Sequence, residues 1–296
     1  MKDLILFGDC KKTLSAFLPK SARMCVTSPP YYGLRDYGGE DEQIGQENTP
    51  EDFINNLVDV FKEVRNVLTD DGTLWVNLGD SYYNYRPGKG QSYPKQSVSK
   101  TKQDLPDKCN KRGNKLQGLK EKDLIGIPWM LAFALRKDGW YLRQDIIWNK
   151  PNPMPESVKD RCTKSHEYIF LLSKSKNYYY DNEAIKEPTK ESETGSYSGV
   201  TKGNTTKNKR SVWSVNKKPY KGAHFATYPE ELIQPCILAG SEKNDIILDP
   251  FMGSGTTAVV AKSLGRHYIG CELHEDYGKL IQKRLNSKSF AKLELV

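Results

Sequence analysis

No run of about eighteen apolar residues exists anywhere in the chain, which excludes a membrane-spanning helix. The opening Met1-Lys2-Asp3-Leu4-Ile5-Leu6-Phe7-Gly8-Asp9 turns acidic too early for a secretory signal, so a cytoplasmic location is expected. The six cysteines (10, 25, 109, 162, 236 and 271) contain no CxxC pair. That argues against a zinc ribbon and a disulfide scaffold and suits a reducing compartment. Four scattered histidines, among them His166 and His224, give no ligand spacing, so no metal is expected. Internal repeats and a Gly-Lys-Ser/Thr phosphate loop are lacking too.

Charge of one sign is scarce in two places. The chain of 296 residues carries a net +8, and residues 81–122 hold eleven Lys/Arg against three Asp/Glu. Residues 184–221 hold nine against three, which leaves the remainder mildly acidic. Two basic, polar blocks on an acidic body attract a polyanion through counterion release, although two solvated loops would share the composition. At 37% hydrophobic the rest can bury a substantial core.

That rest reads as strands alternating with helices. Short undivided apolar runs occur at Leu4–Phe7, Met24–Thr27, Thr73–Leu78, Asp145–Trp148, Tyr168–Leu172, Ile246–Leu248 and Tyr268–Cys271. The clearest helix covers 50–68, with Phe53, Leu57, Val60, Phe61, Val64 and Leu68 at helical spacing. Thr49 is its N-cap, Pro50 opens its first turn, and Asp70-Asp71-Gly72 is expected to close it. Further helices are expected near Trp129–Arg136, Tyr228–Ala239 and Gly255–Leu264. Undivided apolar strands between helices predict an α/β fold: a mostly parallel, Rossmann-like sheet with helices on both faces. Ligands bind outside the carboxyl ends of such strands, and Asp9, Ser28, Asp80, Asp249 and Glu272 all fall there. Asp80 could equally cap the loop that follows it.

The segment Asp249-Pro250-Phe251-Met252-Gly253-Ser254-Gly255-Thr256-Thr257-Ala258 joins a strand to a helix. Its glycines permit a tight turn and close approach to a ligand, and Glu272, ending the next strand, suits a ribose. The Gly253-x-Gly255 spacing alone admits a nicotinamide dinucleotide, and with it an oxidoreductase. The carboxylate of Asp249 beside the loop instead repels a pyrophosphate and favours the cationic sulfonium of S-adenosylmethionine. Near the other end, Ser28-Pro29-Pro30-Tyr31 forces a fixed extended turn, because two prolines can neither continue a central strand nor begin a regular helix.

Together these two segments resemble the amino-group DNA methyltransferases, which modify cytosine N4 or adenine N6. Leu6–Cys10, Ile147-Trp148-x-Lys150-Pro151 and His224–Pro229 extend the resemblance along nearly the whole chain. Ser28-Pro29-Pro30-Tyr31 precedes the glycine loop by about 220 residues, the order of the β-type, circularly permuted subgroup. The resemblance implies that Ser28, Pro29, Pro30 and Tyr31 are catalytic. Ser28 Oγ and the Pro29 carbonyl would accept hydrogens from the target amine, and Tyr31 would stack on an extruded base. It likewise implies S-adenosylmethionine held by Asp9 (adenine), Glu272 (ribose), Asp249 with Thr256 or Thr257 (methionyl ends), Phe225 and Ala226 (pocket wall), and Phe251, Gly253 and Gly255 (loop).

Residues 1–296 would then form one catalytic domain, with 81–122 a basic loop insertion and 181–222 the target-recognition segment. Implied partners are double-stranded DNA, a cognate restriction endonuclease and a second copy in a homodimer, inside a bacterial or phage-infected cytoplasm. Ser28 in place of Asp leans towards cytosine N4, with adenine N6 the alternative. Methylation of RNA or of a protein amide, and a basic nucleic-acid-binding protein with a vestigial site, stay open on sequence grounds. Pro235-Cys236 resembles the nucleophile of cytosine C5 methyltransferases, but it lies among Leu232, Ile233, Ile237 and Leu238 and reads as a buried helical cysteine.

Overall fold

The computed structural model of the chain describes residues 2–33, 43–83, 118–189, 205–217 and 228–287. Most of the first basic block, much of the second, and Phe225 and Ala226 lie outside these described residues. In chain order the elements are β1 (Leu4–Phe7), α1 (Cys10–Thr13), β2 (Ala22–Thr27), α2 (Pro50–Val67), β3 (Leu68–Leu78), α3 (Ile127–Lys137), β4 (Tyr141–Asn149) and β5 (His166–Ser173). The short strands β6 (Glu187–Pro188), β7 (Thr206–Lys207) and β8 (Val212–Ser214) follow. The chain then runs through α4 (Glu230–Gly240), β9 (Ile246–Asp249), α5 (Thr256–Ser263), β10 (His267–Glu272) and α6 (Asp276–Ser287).

Eight strands form one sheet in the order β1-β10-β9-β2-β3-β5-β4-β8. All pair in parallel except β5, which runs antiparallel to both neighbours. The apolar strands are undivided because both faces are covered. Along β5, Phe170 and Leu172 enter one core with α2 and α3, while Ile169 and Leu171 enter a second with α4, α5 and α6. Strands β3, β9 and β10 alternate in the same way, so two cores flank one sheet.

Helix α2 begins as its sequence dictates, with Thr49 Oγ1 accepting from the Asp52 amide at 3.0 Å. Its end differs from expectation. The helix stops at Val67, the chain passes directly into β3, and Asp70-Asp71-Gly72 forms a bulge between the Ala22–Leu68 and Met24–Thr73 pairs. A Cβ on Gly72 would meet Thr69 O at 2.9 Å, and Arg23 draws the bulge in through Asp71 at 2.5 Å. The turn-like trio therefore belongs to strand packing rather than to helix termination. Asp80 also resolves: its carboxylate accepts from the amides of Gly126 and Ile127 at 3.0 and 3.1 Å, capping α3.

From β9 the chain winds through α5 to β10 on one side, and from β2 through α2 to β3 on the other. Adjacent strands β9 and β2 are thus the point where winding reverses, the place where open α/β sheets form their ligand crevice. No helix among the described residues is long and apolar enough to cross a membrane.

Candidate active site

The strand registers bring the acidic and catalytic candidates into one row along the carboxyl edge of the sheet. Phe7 aligns with Glu272, Gly270 with Asp249, and Cys25 with Leu248. The Gly8 amide donates to Glu272 O at 2.9 Å, and the next residue, Asp9, caps α1 by accepting from the Lys11 amide at 2.9 Å.

Asp249 is the hub of this row. Thr27 Oγ1 donates to its Oδ1 at 2.6 Å, and the Phe251 amide donates to the same atom at 3.0 Å. Thr257 Oγ1 donates to Oδ2 at 2.5 Å, with Tyr228 Oη 3.2 Å from Oδ2 and 2.5 Å from Thr257 Oγ1. The Thr27 contact joins residues 222 positions apart and ties the residue before Ser28 to the start of the glycine segment. Burial raises the Asp249 carboxyl above its usual range, and the donors from Thr257, Thr27, Phe251 and Tyr228 pull it back. Asp249 is 1% exposed, and both its oxygens are engaged. Thr257 is fully buried, with its hydroxyl donating to Asp249.

The loop itself is held from several sides. Gly253 and Gly255 adopt left-handed φ values of +52° and +78°, and a Cβ on Gly255 would sit 2.8 Å from Ile281 Cγ2. Glu272 Oε2 accepts from the Gly253 amide at 2.7 Å and Oε1 from the His274 amide at 3.1 Å. Burial raises the Glu272 carboxyl, and the His274 and Gly253 amides oppose the shift. Arg284, on α6, donates to Ser254 O (2.9 Å), Ser254 Oγ (2.7 Å) and Thr256 Oγ1 (3.0 Å) while pairing with Glu230 at 3.2 Å. Sequence reading missed Arg284, because α6 carries no motif of its own.

On the other side of the switch point, Pro29 is buried and Ser28 half-buried. The Ser28 hydroxyl makes no hydrogen bond with the described residues. Tyr31 Oη donates to Glu167 Oε2 at 2.6 Å, and its ring leaves no room for a side chain on Gly79, where a Cβ would lie 2.7 Å from Tyr31 Cε2. Glu167 in turn pairs with Lys150, whose ammonium lies 4.3 Å from the centre of the Trp148 ring. Burial pushes the Lys150 pKa down, and Glu167 pulls it up.

Cys236 is fully buried in α4, its thiol pushed up by that burial, which excludes it as a nucleophile. Among the described residues no His, Cys, Asp and Glu cluster could hold a metal ion.

Gly270 shows how tightly the loop lies on the sheet. A Cβ there would stand 2.6 Å from Asp249 O and closer still to Met252 Cε. Gly270→Ala is expected to cost about 1–3 kcal/mol through overpacking, read as a lowered urea midpoint, and to weaken cofactor binding in calorimetry. An unchanged midpoint would show that the loop can move away.

A reversed strand within a parallel sheet, and a glycine loop with flanking acids at the winding reversal, describe an α/β fold of the class that binds ligands at the carboxyl edge of its sheet, with a Ser-Pro-Pro-Tyr turn on the neighbouring strand. A family model described as DNA methylase, of the N6/N4 type, matches residues 22–283. The type II methyltransferase M.Cfr9I of Citrobacter freundii is 51% identical over 281 residues, covering 95% of this chain and 87% of that protein. M.SmaI of Serratia marcescens is 49% identical over 286 residues, covering 95% and 90%. Among solved structures, the cytosine-N4-specific PvuII DNA methyltransferase superposes with a TM-score of 0.62 at 17% identity, covering 96% of this chain and 93% of that one. M1.HpyAVI, solved with S-adenosylmethionine, gives 0.56 at 20% identity, covering 95% and 99%. The chain belongs to the N6/N4 DNA methylase family and is a type II DNA methyltransferase. This removes the oxidoreductase reading of Gly253-x-Gly255.

Proposed function

We propose that this protein methylates the exocyclic N4 of a cytosine extruded from duplex DNA. The observation that carries the reading is the placing of Ser28: its hydroxyl, without a hydrogen bond to the described residues, leaves β2 where Thr27 is tied to Asp249 of the glycine loop. An amine conjugated to a base ring is a poor nucleophile, since its lone pair is delocalised. Ser28 Oγ and the Pro29 carbonyl oxygen, fixed by consecutive prolines, accept its two hydrogens and concentrate the lone pair on nitrogen. Tyr31 offers a stacking surface for the base. The proton is lost to water after transfer, so no side chain poised near neutral pH is needed.

S-adenosylmethionine, when bound, supplies the electrophilic methyl group. The site fits it by donor set: a buried carboxylate at Glu272, a half-buried one at Asp9, and left-handed glycines that let a ligand approach the backbone of residues 253–255. In this reading Glu272 holds the ribose, Asp9 the adenine end and Thr256 a methionyl end. Phe251 lines the loop, and Phe225 and Ala226 would complete the wall. Asp249 and Thr257 act by positioning the loop. Ribose hydroxyls donate to an ionised carboxylate, and burial raises the Glu272 pKa above its ordinary 4.5. Cofactor affinity should therefore fall as pH drops through that raised value. Glu272→Gln should flatten the calorimetric profile, and a profile with no pH dependence in the parent protein would remove Glu272 from the ribose.

Serine rather than aspartate at position 28 supports cytosine over adenine, and the PvuII enzyme of similar fold is cytosine-N4-specific. The basic segments 81–122 and 181–222 would supply phosphate and base-edge contacts. Lys209→Gln with Lys217→Gln should then reduce the salt slope of DNA binding by up to about two. A cognate restriction endonuclease is proposed as the cellular partner, in a bacterial cytoplasm. The deciding experiment is nucleoside analysis of duplex DNA treated with the protein and S-adenosylmethionine. N4-methylcytosine is expected; N6-methyladenine would overturn the choice of base.

A further inference from the structure

We infer that Glu167 and Lys150 are positioning residues for the target base, acting through the hydroxyl of Tyr31. The inference rests on the reading above, in which Tyr31 stacks on the extruded base. Because β5 runs antiparallel, its amino end reaches the same edge of the sheet as the carboxyl ends of β3 and β4. That reversal carries Glu167 to Tyr31 Oη at 2.6 Å. Asn77 Nδ2, on β3, is fixed by Tyr168 O at 3.0 Å and lies 3.5 Å from the same Glu167 oxygen. Lys150 holds the other oxygen, its side chain only 5% exposed.

An ion pair between a buried lysine and a largely buried glutamate is an expensive way to fill space between strands, since apolar residues of similar volume usually serve stability as well or better. What the pair provides, and an apolar filling would not, is a fixed charged acceptor aimed at the catalytic turn. Two prolines set the backbone before Tyr31, Gly79 leaves room beneath its ring, and Glu167 fixes its far end. The ring is held in one orientation before the base arrives, so ordering it costs nothing at the moment of reaction.

The test is a double-mutant cycle on the full chain with Tyr31→Phe, Glu167→Gln and the two combined. Single-turnover methylation of duplex DNA, the Kd for S-adenosylmethionine and the melting temperature are measured together. Each single variant should slow methylation about tenfold or more, with the cofactor Kd unchanged. The double variant should stay within about threefold of the slower single one, because Glu167 no longer acts on the ring once the hydroxyl is gone. A double variant slower than that overturns the inference. So does a Tyr31→Phe variant at the parent rate, and this second outcome is readable even where Glu167→Gln fails to fold. Parent protein that leaves no methylated base in DNA would instead sink the functional reading on which the inference rests.

Discussion

Ser28→Ala is expected to slow methyl transfer by about 10²–10³-fold, the usual loss when one fixed partner of a developing charge is removed. Binding of S-adenosylmethionine and duplex DNA should stay close to that of the parent. The separation follows from the local structure. Ser28 Oγ makes no hydrogen bond with the described residues, so removing it strands no buried donor, and the cost to stability should fall within about 0.5 kcal/mol. The neighbouring Thr27 keeps its 2.6 Å bond to Asp249, and the two prolines keep the Pro29 carbonyl in place. Half of the proposed acceptor pair is lost while the surrounding structure stays built. Single-turnover transfer of labelled methyl, with calorimetry for both ligands, checks it. A variant within about threefold of the parent rate would show that the amine is activated elsewhere.

The parts legible in the sequence were those written in local pattern. Undivided apolar runs gave away strands buried on both faces. The Thr49–Pro50 start of α2 was readable from capping chemistry alone, and acids after successive runs marked the carboxyl edge of the sheet. Strand direction was not legible. Tyr168–Leu172 reads as a strand either way, and only its reversal brings Glu167 to the site. Asp70-Asp71-Gly72 carries turn chemistry, yet Arg23 and the close approach of Gly72 absorb it into a strand bulge. Asp249 shows the same gap on a finer scale. Its identity and spacing suit a ligand contact, but local pattern does not show that Thr27, 222 residues away, and Tyr228, before α4, join Thr257 around its carboxylate. Arg284 escaped notice because a lone arginine on an amphipathic helix has no local signature, whatever loop it happens to grip.

Asp249→Ala should be the most damaging single change to the site as a whole. It removes the acceptor of four donors at once: two threonine hydroxyls, a tyrosine hydroxyl and the Phe251 amide. Each buried donor left unpaired costs about 1–3 kcal/mol. Two offsets reduce the sum. Tyr228 and Thr257, 2.5 Å apart, can pair with each other, and the desolvation that raises the Asp249 pKa is relieved. A net loss of about 2–4 kcal/mol is expected, measurable by urea unfolding. The effect on activity should exceed what lost folding explains. With Asp249 gone, the side-chain tie between Thr27 and the glycine segment is lost, and a shift of about 1 Å between the proposed amine acceptors and the methyl donor can cost 10²-fold in rate. The variant, assayed at a temperature where it remains folded, should show both weaker cofactor binding and a slower transfer step. Asp249→Asn separates the contributions. It keeps the volume, but one carboxylate oxygen becomes an amide that faces a hydroxyl donor with another donor, so the cavity cost disappears while the pairing fault remains. If Asp249→Asn matches the parent in both cofactor affinity and rate, the carboxylate is only a space-filler, and the alignment of Ser28 with the loop must come from the strand pairing of β2 and β9.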